Sequence, residues 1–191
     1  MQTNAVAVHR RALDVATSLI RDVRTDQLSR PSPCAGWDLR ALLEHMVGQN
    51  HGFADAVESA AGVPVAAFAP RAFTAAAWEA SAERVAAAFE AAPGEREVLL
   101  VEISPERRFP VSTALRFHLL DTVVHTWDVA TTVGLEFRPD DDLAQLVHAG
   151  AAAVPTGPGR EAPGAAFAPP LDVEGDDPWM TTLALLGRSA A

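Results

Sequence analysis

The chain has a single cysteine, Cys34, no tyrosine, and far fewer bases than acids. One thiol excludes an intramolecular disulfide and a zinc site built from a cysteine cluster, so any metal here must be held by nitrogen and oxygen. A net charge of −10 and a pI near 4.9 withhold the basic face that nucleic-acid binding uses. The same charge makes an anionic lipid surface a poor partner. No uninterrupted apolar run approaches the length of a membrane span, and the opening MQTNAVAVHRRALD has no basic segment followed by a hydrophobic one, so a cytoplasmic protein is expected. Neither an internal repeat of fixed period nor a Gly-rich phosphate loop between a strand and a helix is found.

What the chain does have is 191 residues, 49% of them hydrophobic and drawn mostly from alanine, leucine and valine. That is enough for one good core with a small appendage, and the mixture favours helices. From Thr3 to about Arg24, residues Val6, His9, Leu13, Ala16, Ile20 and Val23 recur at intervals of three and four, one face of an amphipathic helix. His9 on that stripe reads as an ordinary packed or surface histidine ahead of a ligand. LSRPSPCAGW (28–37) is a connection, and Asp38 is a candidate N-cap. The helix that follows, Leu39 to about Ala60, has Leu39, Leu42, Leu43, Met46, Asn50, Phe53 and Val57 on its core face, with His45 at the border. Gly48 and Gly52 inside it cost about 1 kcal/mol each relative to alanine, which room for a ligand beside His45 or close helix packing would explain. Cys34, just before this helix, reads as a small buried hydrophobe ahead of a reactive thiol.

A third helix is predicted for Thr74–Ala92 with Trp78, Ala82, Val85 and Phe89 as its ridge, then a short β-prone stretch, EVLLVEI (97–103). The fourth helix runs from near Val111 to a C-cap at Gly134. Beyond it, Asp140–Ala153 and Trp179–Leu186 are short helices on either side of a Pro/Gly-rich irregular stretch, giving a bundle at 1–134 and a C-terminal extension at 135–191 packed on it.

The fourth helix carries the chemistry. His118, Asp121 and His125 fall on one face, with apolar residues on both flanks, so this polar row points inward. A buried carboxylate and imidazoles must be satisfied, either by a hydrogen-bonded network or by a cation. Asp121 and His125 can offer two donors to one metal from a single helix, and His45 is the available third. Two imidazoles and one carboxylate suit zinc and leave a position for water or substrate; the set also suits iron, nickel or manganese.

Two segments resemble a known family. PSPCAGWDLRALLEHMVGQN is similar to a Pro-Cys-x-x-Trp-x-x-x-x-x-x-x-His signature and LLDTVVHTWDVATTVG to an Asp/Glu-x-x-x-His-x-Trp-Asp signature of the mycothiol-dependent maleylpyruvate isomerase and DinB-like superfamily. The tail AFAPPLDVEGDDPWMTTLALLGR looks like the end of that group's uncharacterised metal-binding members. The resemblance implies an all-α fold, an up-down-down-up DinB-like four-helix bundle with a divalent metal near one end of its core. It also implies that His45, Asp121 and His125 are the metal ligands, with aspartate here where the isomerase has glutamate.

The function expected is a metal-dependent mycothiol isomerase or S-transferase acting on a small electrophilic metabolite. The alternatives are a thiol-independent hydrolase, lyase or cyclase, and a metal- or small-molecule-binding domain without catalysis. Zinc and mycothiol are the expected cofactors. His118 is the candidate catalytic base, with a packed histidine as the plain alternative, and Gln49, Asn50 and Arg40 are candidate cofactor-binding groups. Arg108 is a second arginine candidate for steadying negative charge. Trp127 and Asp128 read as structural, Asp128 bonding across to a neighbouring loop. A small-molecule substrate is expected, and alanine-rich faces are compatible with a homodimer.

Overall fold

The computed structural model describes residues 2–59, 61–162, 165–172, 175 and 177–189, with side chains from Ala5 onward. Ala60, to which the sequence extends the second helix, lies outside these residues, as do parts of the irregular 155–178 stretch. The described residues form six α-helices, α1 Gln2–Ile20, α2 Leu39–Glu58, α3 Ala75–Ala91, α4 Val111–Val133, α5 Asp141–Ala152 and α6 Pro178–Leu185. Three residues of β1 Glu97–Leu99 paired with three of β2 Arg108–Pro110 make a small antiparallel hairpin between α3 and α4.

Local chemistry sets the ends of these helices. Asp38 accepts from Ala41 N at 2.8 Å and Thr74 from Ala77 N at 3.0 Å, so α2 and α3 begin on side-chain caps. α4 stops at Gly134, whose φ of +82° is open to glycine and closed to most other residues. α1 ends at Ile20, short of the expected Arg24, because a competing turn begins there: Gln27 Oε1 accepts from Arg24 N at 2.8 Å and closes a 3-10 turn over Thr25–Gln27.

Side-chain pairs fix the direction of each bundle helix. Arg10 reaches Glu83 and Glu90 while Thr17 meets Trp78, so α1 and α3 run antiparallel. His45 lies against His125 and Asn50 against His118, so α2 and α4 are antiparallel as well. Asn50 bonds Ser81 and Glu58 bonds Arg84, so α2 and α3 run parallel and need the long 59–74 crossover between them. The bundle is therefore up-down-down-up.

Gly48 and Gly52 serve that crossover. A Cβ on Gly48 would lie 2.9 Å from the Ala69 carbonyl carbon, and one on Gly52 would lie 2.9 Å from Phe68 Cα. Close packing, not space for a ligand, explains both glycines. The core they border includes Leu39, Leu43, Phe53, Trp78, Phe89 and Leu115, all buried.

The chain divides into two compact units, residues 1–137 and 138–191. In the second, α5 and α6 pack together, and Arg160 is enclosed by carbonyls of Val154, Pro155, Ala168 and Leu185 at 2.6 to 3.2 Å. A guanidinium thus holds together a stretch too rich in proline and glycine to satisfy its own carbonyls.

Candidate metal centre

The loop before α2 is folded by its own backbone. Ser32 N donates to Trp37 O at 3.0 Å, Trp37 N donates to Cys34 O at 3.0 Å, and Gly36 between them takes φ +81°. The result turns Cys34 toward α4 and leaves Trp37 half-exposed, its ring 4.8 Å from that of His45.

His45 from α2 and Asp121 and His125 from α4 come together. Asp121 Oδ1 lies 3.7 Å from His45 Nε2 and 3.3 Å from His125 Nε2, and the donor atoms of all three lie within 4.8 Å of one another. Two donors at about 2.1 Å from one tetrahedral cation stand roughly 3.4 Å apart, so this donor set fits a divalent metal. His125 is buried, whereas His45 and Asp121 are partly open to solvent.

Asp128 completes the anchoring. Its Oδ2 accepts from His125 Nδ1 at 2.8 Å, which turns His125 Nε2 toward Asp121, and it also accepts the Cys34 thiol at 3.2 Å. Asp128 does meet a neighbouring loop, through Cys34, but its bond to His125 was readable from sequence as an i, i+3 pair and was missed. Cys34, His125 and Asp128 are themselves a second group of metal-compatible atoms. Their donors already satisfy one another, so they act as support for His125.

Burial alone would lower the pKa of His125, but Asp121 and Asp128 on its two sides raise it well above its ordinary value. Burial alone would raise that of Asp121, and His125 and His45 overcome this to hold the carboxyl well below the usual range. The imidazole between two carboxylates therefore carries a proton until a metal takes its place.

His118 is not in this group. It is fully buried, receives His9 Nε2–H on Nδ1 at 2.8 Å and donates from Nε2 to Asn50 Oδ1 at 3.0 Å; Asn50 donates to Ser81 Oγ at 2.9 Å and Ser81 to Trp78 O. One row of donors thus crosses all four bundle helices. Burial holds His118 down to about 4, and burial first, then the proximity of His118 and Arg10, holds His9 well below its ordinary value, so both are neutral. Asn50 belongs to this enclosed row, away from solvent. Arg40 stands exposed on the first turn of α2 and Arg108 is exposed on β2.

Gln49 is buried one turn beyond His45, and its Nε2 donates to both oxygens of Glu102 at 3.1 and 3.0 Å. Glu102 is exposed on the turn after β1, where partial desolvation and then the charge of Asp121 raise its pKa against the opposing bond from Gln49. Nothing in the local sequence signals this residue, since its partners come from α2 and α4.

Among the described residues no helix is long and apolar enough to cross a membrane. Two uncharacterized proteins of Mycobacterium tuberculosis, from strains CDC 1551 / Oshkosh and H37Rv, are each 34% identical over 160 residues, covering 84% of this chain and 84% of the relative. The crystal structure of the mycothiol-dependent maleylpyruvate isomerase is similar with a TM-score of 0.63 at 14% identity, covering 80% of this chain and 68% of that one. A histidine-to-alanine mutant of that enzyme gives a TM-score of 0.64 at the same identity and coverage. At that identity the likeness establishes the fold, which is all-α as expected. Residues 9–130 match the family described as the mycothiol maleylpyruvate isomerase N-terminal domain. With two separate helices delivering His45, Asp121 and His125 to one point of that domain, and with matches of this extent, the chain belongs to the mycothiol maleylpyruvate isomerase N-terminal domain family.

Proposed function

We propose that this protein is a metal-dependent enzyme of the mycothiol-dependent isomerase or S-transferase type, joining a thiol to a small electrophilic metabolite. The observation that carries the reading is the convergence of His45 Nε2, Asp121 Oδ1 and His125 Nε2, with the far nitrogen of His125 anchored on Asp128. The family supports the thiol, and the name of the solved neighbour supports mycothiol as the first thiol to test.

His45, Asp121 and His125 would hold a divalent cation, zinc in first place with nickel, iron or manganese also suited, and its chemistry there would be to lower the pKa of a thiol and polarise an electrophile. The remaining work falls to the chain. Asp121 would supply one negative charge to the cation and the two imidazoles neutral nitrogens, three donors that would leave room for substrate. Asp128 keeps the proton of His125 on Nδ1. Trp37 covers one side of His45 and limits the access of water. His118, enclosed among the helices, preserves the spacing of α2 and α4 and takes no proton from substrate.

Metal analysis of freshly purified protein is expected to find about one equivalent of divalent metal per chain. Incubation of the loaded protein with mycothiol and a panel of electrophiles that includes maleylpyruvate is then expected to consume the thiol. Full retention of metal by His125→Ala would overturn the ligand assignment. Metal binding with no use of mycothiol would remove the thiol and leave hydrolase, lyase or cyclase chemistry.

A further inference from the structure

Glu102 is no donor in the three-residue group, yet it is held beside it. A buried amide on the turn of α2 that follows His45 bonds both of its carboxylate oxygens, which fixes where that charge stands. The charges of Asp121 and His45 bear on Glu102. Among the described residues Asp121 pairs only with His45 and His125. Glu102 and Asp121 together make the neighbourhood of the group acidic.

We propose that Glu102 selects by charge what enters beside the His45, Asp121 and His125 group, accepting a molecule that carries an amine and rejecting one that presents a carboxylate. This rests on the metal reading above and adds a substrate class to it: an amine-bearing small molecule in place of a dicarboxylate. The first point is electrostatic. One unit charge several ångströms away, in the partly open surroundings of a site mouth, changes binding of a charged ligand by about tenfold. The second is geometric. Gln49 Nε2 sits between the two oxygens of Glu102, 3.1 and 3.0 Å from them, and so engages the carboxylate from one side, which keeps lone pairs on the other side for an ammonium donor.

The test uses cobalt(II)-loaded full-length protein and three thiols of similar reach: 2-aminoethanethiol, 2-mercaptoethanol and mercaptoacetate. Thiolate-to-cobalt absorption gives each dissociation constant, in the wild type and in Glu102→Gln, which keeps a partner for Gln49. The variant is expected to bind the amine several-fold more weakly and the carboxylate several-fold more tightly, shifting their ratio about tenfold and leaving 2-mercaptoethanol unchanged. Circular dichroism checks that the variant keeps its helices. Should cobalt bind while the three thiols shift together, stay unchanged or fail to bind, charge selection is overturned and the metal reading stands. Should cobalt itself fail to bind, the metal reading falls and the selection with it.

Discussion

An imidazole gives a metal one nitrogen, and the partner of the other nitrogen decides how firmly that lone pair is aimed. Asp128 has this role for His125, so Asp128→Asn is expected to weaken metal binding by about 10- to 100-fold while helix content stays the same. Competition against a chromophoric chelator measures it, and an unchanged affinity would remove Asp128 from the site. Because Asp121 and Asp128 hold a proton on metal-free His125, loading is expected to release that proton and to weaken as the pH falls; calorimetry in buffers of different ionisation enthalpy counts the protons. Asp121 and His125 were legible because a helix turns spacing into geometry. His118 shares their row in the sequence, and His9 on α1 and Asn50 on α2 draw it into another network, which no pattern along α4 could reveal. Gln49 and Asn50 are adjacent in sequence, yet one faces Glu102 and the other the core.

At the scale of elements, all six helices were legible in sequence, the first three because each buries an apolar stripe at intervals of three and four. The hairpin was harder to read, since β1 is three residues long and its pairing with β2 depends on a partner nine residues further on. The glycines of α2 were visible in sequence, but the segment they accommodate was not. Gly48→Ala is expected to destabilise the protein by about 1–3 kcal/mol, since the new methyl meets backbone at Ala69 and backbone cannot swing aside. The favourable helix propensity of alanine offsets roughly 1 kcal/mol of this. Urea unfolding checks the net sign, and a stabilised variant would show that the 65–69 segment can lift away from α2.

For the whole molecule, the four-helix row of His9, His118, Asn50 and Ser81 links stability to pH. Both histidines are neutral when folded, with pKa values below that of the unfolded chain, so the unfolded state binds more protons at mildly acid pH. Their stabilising contribution is complete above about 6.5 and is lost as the pH falls toward 4, His118 alone accounting for about 3 kcal/mol. Thermal unfolding between pH 7 and 4.5 with a chelator present is expected to show this decline, and His118→Gln to flatten it; an equally steep variant would place the proton uptake elsewhere. Residues 1–137 include the entire metal-compatible group, so a fragment of that length is expected to fold and bind metal with the affinity of the full chain. Loss of binding in a fragment that remains helical would make residues 138–191 part of the working unit.

Of the four tryptophans, Trp78, Trp127 and Trp179 are buried, and Trp37 is 36% exposed with its ring against His45. The long-wavelength edge of the intrinsic emission therefore comes from one indole at the mouth of the site. Copper(II) or cobalt(II) at His45 would quench that edge while the blue-shifted light of the three enclosed rings persisted, so occupancy can be followed optically in the unlabelled, native chain.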